Sequence, residues 1–468
     1  MITLWLSLGG CVTTGASDYD LVITNVTVID ADGRRAAQSV AIVDDTIVAV
    51  VASEALTGSA GRTVDGTGRF LIPGLWDMHV HVTYEKALTA PMPALFLDYG
   101  ITSVRDTGGL LPELLPVVRQ WRSPEFLAPR IYYSGPLLDG AKVVYDGDSR
   151  PEIGIANPNA VQAIENLYSL IAAGVDFIKI YELVSPEVFS ALVAGAAANN
   201  LPIAAHVPLS LTATEAGPQV QSMEHLRNIE LACSNRAAAL HRRRADMIAD
   251  PGKLSGHALR SKLHADQRPR ALGDLDIASA RCQAVIGALG NTIQVPTLRL
   301  NTIFEYSPIE RPDWQASLQS LPGPLAAQWQ ATAEQFAGQG SELAIQTSQW
   351  SLALVAELHR RGVPIGAGTD TPIAQAIPGY SLHTELERLV DAGLPPLEAL
   401  RAATVRPAEF LRMADRLGTI APGKWADLVL LRGDPLQDIR NTRTIDMVIA
   451  NGRPVREPLV NKSRTPSL

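Results

Sequence analysis

From Tyr19 onward, apolar and polar residues alternate in short runs, LVITNVTVID, SVAIVDDTIVAVV and RTVDGTGRFLIPG, broken by Asp32-Gly33 and Asp65-Gly66. A period of two buries one face and wets the other, so these runs predict strands joined by tight turns. A matching set returns near the other end, where ADLVLLRG and IDMVIA precede a final NGRPV. The two ends predict one small β domain, a β-sandwich, into which the middle of the chain is inserted as a unit whose own ends lie close together.

In the middle the pattern changes. Short apolar runs at 75–81, 101–106, 129–135, 177–181, 202–207, 221–225, 292–298 and 364–370 are mostly separated by helical stretches such as 159–173 and 186–199. Alternating strand and helix favours a parallel sheet. Eight such units predict an α/β fold of the (β/α)8 TIM-barrel type, with its site at the C-terminal ends of the strands. The alternation breaks at 231–290, which is mainly helical, and at 301–341, which is rich in Pro, Gln and Trp; both predict insertions that cap the site. The expected domains are 1–18 as signal and tether, 19–72 and 418–468 as the two parts of the β-sandwich, and 73–417 as the barrel.

Composition narrows the partners. With 468 residues, 46% hydrophobic and 19% charged, the chain can bury a large core and a smaller second one. A net charge of -8 and a pI near 5.7 argue against nucleic acid, which needs a basic face, and favour a small-molecule ligand. The basic run HRRR from His241 to Arg244 either attracts an acidic substrate or a lipid headgroup or, as is commoner, forms a solvated face. Cys11, Cys233 and Cys282 are too few and too scattered to predict a disulfide framework or a thiolate metal site. Cys11 follows the short apolar run Ile2 to Leu8 through Gly9-Gly10, resembling a bacterial lipoprotein signal, although no Lys or Arg precedes it. That predicts a lipid anchor at the cell envelope, with the cytoplasm as the alternative.

The candidate chemistry lies at the ends of the predicted strands. His79 and His81 close FLIPGLWDMHVHV, and on a strand two residues apart both imidazoles point the same way, which is half of a metal site. The plainer alternative is two polar residues on a solvent face. Lys179, His206, His225 and Asp370 occupy other strand ends. A lone buried ammonium costs several kcal/mol, so Lys179 needs a salt bridge, to Asp176 or Glu182, or a chemical change. Carbamylation would make it an anion able to bridge two metal ions.

With these residues in view, PGLWDMHVH, DFIKIY, AAHV and MEHL nineteen residues apart, GAGTD, HTELERLVDAGLPPLEALRAATVRPAEFL and GTIAPGKWADLVLL resemble the amidohydrolase superfamily. More narrowly they resemble its imidazolonepropionase-related and Xaa-Pro dipeptidase-like group, which uses a carboxylated lysine. The resemblance runs from about Leu21 to Val455, with 231–340 contributing little. It implies two divalent ions, zinc being expected: one held by His79, His81 and Asp370, the second by His206 and His225, with carboxylated Lys179 between them. It implies hydrolysis of amide bonds in dipeptides such as Xaa-Pro, or in N-acyl amino acids, by a hydroxide shared between the metals, with Asp370 as the catalytic proton carrier. A carboxylate on the departing amine calls for Arg, Tyr or His, which makes Tyr181 and His383 substrate-binding candidates. Their plainer roles are packing and capping the helix near Thr384.

Other residues carry less. Arg105, Asp106 and Arg227 lie near strand ends, where each is equally a substrate contact or a barrel-rim salt bridge, and His241, His257, His264 and His359 read as surface residues. Trp314, Trp329 and Trp350 either line an apolar pocket or pack the second insertion. The alternative functions are a cyclic amidohydrolase, an esterase, lactonase or organophosphate hydrolase, a one-metal deaminase, which Lys179 argues against, and a non-catalytic scaffold, which predicts missing ligands. Oligomeric state stays open, a homo-oligomer being one expectation.

Overall fold

A computed structural model describes residues 17–148 and 150–456. The predicted lipoprotein signal with Cys11 lies outside the described residues. No described helix is long and apolar enough to cross a membrane.

The alternating runs form β1 (Tyr19–Asp30), β2 (Gly33–Val43) and β3 (Thr46–Ala52), an antiparallel meander. Asp30 pairs with Gly33 across the predicted Asp32-Gly33 turn, where Gly33 adopts φ +106°, a conformation that a side chain would resist. β4 (Ala60–Asp65) and β5 (Phe70–Pro73) both run parallel to β1.

The middle begins with β6 (Leu75–Val80), β7 (Ile101–Asp106) and β8 (Arg130–Tyr133), a parallel three-stranded sheet. Next come β9 (Leu137–Asp139), β10 (Gly154–Ala156), β11 (Ile178–Ile180), β12 (Ile203–Ala205), β13 (Ser222–Glu224) and β14 (Ile293–Val295), a parallel sheet in the order β10-β9-β11-β12-β13-β14. The last predicted strand, 364–370, forms no ladder of its own. It makes parallel bridges at both ends, Ile365 to Gln294 and Thr371 to Val80, and so touches both sheets. Seven of the predicted strands thus coincide with observed ones and the eighth is this bridging segment, while β9 and β10 are additions.

β15 (Leu428–Leu431), β16 (Ile445–Ala450) and β17 (Arg453–Arg456) return to the N-terminal strands, β15 lying antiparallel to β5. Both chain ends therefore share one eight-stranded sheet. Val26, Ile42, Leu71, Leu430 and Met447 meet in its buried core, which is why the alternation reads so plainly at both ends.

Both irregular stretches are helical. The first holds Ala237–Ala249, Gly256–Leu272 and Ala280–Ala288, and the second Pro312–Leu318 and Gly323–Phe336. Trp314 and Trp329 are buried in the main core and Trp350 packs against it, so these rings serve packing. Cys233 and Cys282, too scattered to predict a disulfide framework, form a single disulfide at a sequence separation of 49 in the first insertion. Their distance in sequence concealed it.

Candidate metal and substrate site

Each of the six predicted ligands sits at or just beyond the C-terminal end of its strand. His79 is on β6 and His81 follows it; Lys179 is in β11, while His206 and His225 follow β12 and β13. Phe177 and Ala204, one strand period before Lys179 and His206, lie with Met78, Val295 and Phe410 in a buried cluster. Period-two alternation thus sends one residue of each strand into apolar packing and the next same-facing one into the site.

Asp370 ends the bridging segment with φ +61°, a left-handed conformation that Asp tolerates better than most residues. Its N–H donates to the His79 carbonyl at 2.8 Å, which locks the segment against β6. Two residues earlier, a Cβ on Gly368 would lie 2.8 Å from the His79 Cβ, so only glycine lets the chain pass this close behind the ligand.

Asp370 Oδ1 lies 3.3 Å from His79 Nε2 and 3.2 Å from His81 Nε2. Ligand atoms of these three buried residues fall within 4.8 Å of one another, a geometry that can hold one ion. The His225 ring lies 4.6 Å from that of His79 and 4.8 Å from that of His206, centroid to centroid. His79, His81, Lys179, Tyr181, His206, His225 and Asp370 line one cavity of about 170 Å³.

All four histidines use Nδ1 away from Asp370. His79 Nδ1 meets Glu224 Oε2 at 2.7 Å, His81 Nδ1 donates to the Gly108 carbonyl at 3.0 Å, His206 Nδ1 meets Glu182 Oε1 at 2.7 Å, and His225 Nδ1 meets Thr297 Oγ1 at 2.9 Å. Ring nitrogens tied in this way fix the tautomer and leave Nε2 as the ligand atom. Burial pushes His79 down to about 4 and His206 to about 3, with the Lys179 charge adding to both, so the rings are neutral at pH 7 as ligation requires. His225 is also pushed far down by burial. Burial opposes ionisation of Asp370, but His225, His81 and His79 outweigh it and hold the carboxyl far below its usual range.

Lys179 is fully buried and its Nζ has no hydrogen-bond partner. The alternative salt bridge to Asp176 or Glu182 is absent: Asp176 pairs with Arg122, and Glu182 turns to His206, Arg260 and His264. Burial lowers the Lys179 amine to about 8 against the pull of Glu224. An orphaned, partly deprotonated amine among four imidazoles and a carboxylate suits conversion to an anionic ligand, so the residues fit a two-ion site.

Two carboxylates support the histidines in a role that the sequence reading did not assign to them. Glu224, next to His225, is held by Arg105 at 2.8 Å and by the Ser222 hydroxyl at 2.7 Å, while Arg105 also donates to the Met78 carbonyl. Arg105 is thus a buried support for His79 rather than a rim residue. Asp106 is buried too, accepts from the Val82 and Gly108 amides, and is pushed up to about 6 by burial. Glu182, immediately after Tyr181, is held ionised by Arg260 and His264 despite its burial.

Two other expectations need correction. His383 lies outside the cavity: it is fully buried in the helix Tyr380–Asp391, with Nδ1 on Thr442 Oγ1 at 2.8 Å and Nε2 donating to the Tyr99 carbonyl at 2.9 Å. Both ring nitrogens are engaged within the protein, so His383 ties that helix to two other parts of the chain. His264 is not a surface residue, because its Nε2 lies 2.6 Å from Glu182 Oε2 beneath the site. His241, His257 and His359 are half-buried, and His359 occupies the last turn of its helix as expected.

Comparison with known proteins agrees with this architecture. Residues 347–455 match the amidohydrolase family. Adenine deaminase 2 of Rhizobium meliloti is 25% identical over 456 residues, which cover 94% of this chain and 57% of that protein. The chain thus spans a little over half the length of that curated relative. Among solved structures, a Xaa-Pro dipeptidase with methionine bound in its active site superposes with TM-score 0.66 at 19% identity, covering 93% of this chain and 99% of that one. Bottromycin amidohydrolase superposes with TM-score 0.70 at 21% identity, covering 92% and 86%. The family match thus covers the C-terminal part of the chain, and the solved structures share its fold.

Proposed function

We propose that the chain is a binuclear metal-dependent hydrolase that cleaves amide bonds of small substrates, dipeptides such as Xaa-Pro or N-acyl amino acids. The observation that carries this reading is the common orientation of the four histidines, each tied at Nδ1, around Asp370 and the unpartnered Lys179. His79, His81 and Asp370 would hold one ion, and His206 and His225 a second. Lys179 would lie between them after its free amine adds carbon dioxide and loses a proton. Zinc is the expected metal. When bound, such ions polarise a scissile carbonyl and lower the pKa of water toward about 7.

The chain's own residues supply the rest. The Asp370 carboxylate accepts the proton of the attacking water and returns it to the departing amine, so neither a serine nor a cysteine nucleophile is required. Glu224, Glu182, Thr297 and the Gly108 carbonyl hold the rings in register. Tyr181, on the same cavity wall, positions substrate.

In this reading residues 73–417 close as an eight-stranded barrel through the bridging segment at Ile365 and Thr371, and the 19–72 and 418–468 strands form the second domain. An envelope location through Cys11 accords with the Cys233–Cys282 disulfide, since such bonds persist in oxidising compartments. A second reading, purine deamination, draws on the adenine deaminase relative. The discriminating experiment measures metal content of the purified protein and its turnover of Xaa-Pro, Xaa-Arg and N-acyl amino acid panels beside adenine. Two ions per chain with cleavage of a carboxylate-bearing amide supports the proposal; ammonia release from adenine alone replaces it with the second reading.

A further inference from the structure

The basic run from His241 to Arg244 is only half a solvated face. Arg243 stays exposed and pairs with Asp266 at 2.6 Å, whereas Arg244, next to it on the helix Ala237–Ala249, is buried. Its hydrogen bonds go to neutral amides: Nε donates to Gln267 Oε1 at 2.5 Å and Nη2 to Asn228 Oδ1 at 3.1 Å, while Nη1 has no hydrogen-bond partner among the described residues. Gln267 stands on the second inserted helix, Gly256–Leu272, and its Nε2 donates to the Leu240 carbonyl at 3.0 Å. A buried guanidinium with only neutral acceptors is costly, and an apolar side chain of similar volume would hold the two helices together as well.

Asn228 shows what the guanidinium holds. It lies at the N-cap position of the helix Ile229–Cys233, where an asparagine side chain ordinarily accepts from its own helix, yet it makes no such bond. Its Oδ1 accepts from Arg244 instead, and its Nδ2 donates to the Val207 carbonyl at 3.0 Å. Val207 follows His206, and Asn228 closes the turn that His225 begins, so one side-chain amide joins the turns after β12 and β13. The second of these turns is strained: His225, Leu226 and Asn228 have φ +62°, +57° and +65°, in a left-handed region that a leucine resists. Such a turn persists only where contacts from outside hold it. Asn301 Nδ2, on the His225 carbonyl at 3.1 Å, grips one end, and Asn228 with Arg244 behind it grips the other.

We infer that Arg244 is a positioning residue: through Asn228 it fixes the two turns that carry His206 and His225, so that the second ion's half of the site depends on the docked insertion. His79 and Asp370 are held differently, by Glu224 and by the bond from the Asp370 amide to the His79 carbonyl, and do not share this support. The inference rests on the two-ion reading for what the histidines hold, and on the hydrogen bonds alone for how they are held.

The test uses the full chain. Asn228→Gly suits the left-handed backbone and removes only the bridging amide, while Arg244→Met keeps an unbranched stem and removes the donors. Both variants are expected to weaken binding of the second equivalent of zinc by about tenfold or more in chelator competition, with the first equivalent bound as in the wild type. Arg244→Lys, which can still donate to Asn228, should recover part of the loss. In metal-free protein, amide hydrogen exchange in both variants should rise at 206–209 and 225–229 and stay unchanged at 77–82. Equal weakening of both equivalents, or a uniform rise in exchange, overturns the inference, because Arg244 then only stabilises the fold. Unchanged exchange at both turns in Asn228→Gly overturns it as well. A wild-type chain that binds a single ion sinks the two-ion reading, and exchange at the two turns then decides by itself whether Arg244 positions them.

Discussion

His264 and His206 share one carboxylate: His206 Nδ1 lies 2.7 Å from Glu182 Oε1, and His264 Nε2 lies 2.6 Å from Glu182 Oε2. The first ring belongs to a predicted metal ligand, the second to a helix of the insertion. The insertion is thereby part of the support of the site.

Glu182→Gln keeps the size of the side chain and removes the charge that orients His206. Loss of such a partner should weaken metal binding by about 10- to 100-fold. His264→Ala should have a smaller effect, because Glu182 keeps Arg260. Chelator competition on folded protein measures both, and unchanged affinity in Glu182→Gln would show that His206 needs no such support.

Lys179→Ala should lose most of the second ion and most of the activity. Asp370→Asn should retain substantial metal but hydrolyse slowly, by about 10² to 10⁴-fold if the carboxylate moves the proton. Metal analysis paired with kcat separates these roles. Full turnover in either variant contradicts the mechanism.

Paired serine substitutions at Cys233 and Cys282 release a crosslink spanning 49 residues. The expected loss of stability is about 2 to 4 kcal/mol, read as a lower denaturant midpoint. The helix bearing Arg260 and His264 lies within that loop, so the support of His206 through Glu182 should loosen and metal affinity should fall. An unchanged midpoint would mean that packing alone holds the insertion.

His383 predicts a pH effect remote from the metal ligands. Burial pushes it down to about 3, with the charge of Arg443 adding to the effect. The unfolded chain therefore takes up a proton near pH 6.5 that the folded one refuses. Its contribution is complete above about 6.5 and is lost as pH falls toward 3, on the order of 2 kcal/mol between pH 7 and pH 5. Urea unfolding at those two pH values should show a smaller decline for His383→Gln than for the wild type. An equal decline would assign the acid sensitivity to other groups.

Much of this was legible along the chain. Seven predicted strands coincide with observed ones because strands buried on both faces leave short continuous apolar runs, and the six candidate ligands were visible because polar residues ended those runs. β9 and β10 were missed: no helical stretch separates β9 from β8, so the two read as one run, and among the described residues β10 pairs only with β9. Glu182 had a signal, an acid directly after FIKIY, but it was weighed only as a partner for Lys179. His383 was misread because a histidine in a loop-to-helix motif looks the same whether it faces a cavity or two backbone segments.

By itself, then, the sequence determined the strand and helix runs and the residue types at the strand ends, because each depends on neighbours within a few positions. Tertiary structure alone decided that Cys233 meets Cys282, that Glu182 gathers His206, His264 and Arg260, and that Arg105 supports Glu224. Those contacts join segments tens of residues or more than a hundred apart. Their partners are chosen by how the helices and sheets pack, which no local pattern encodes.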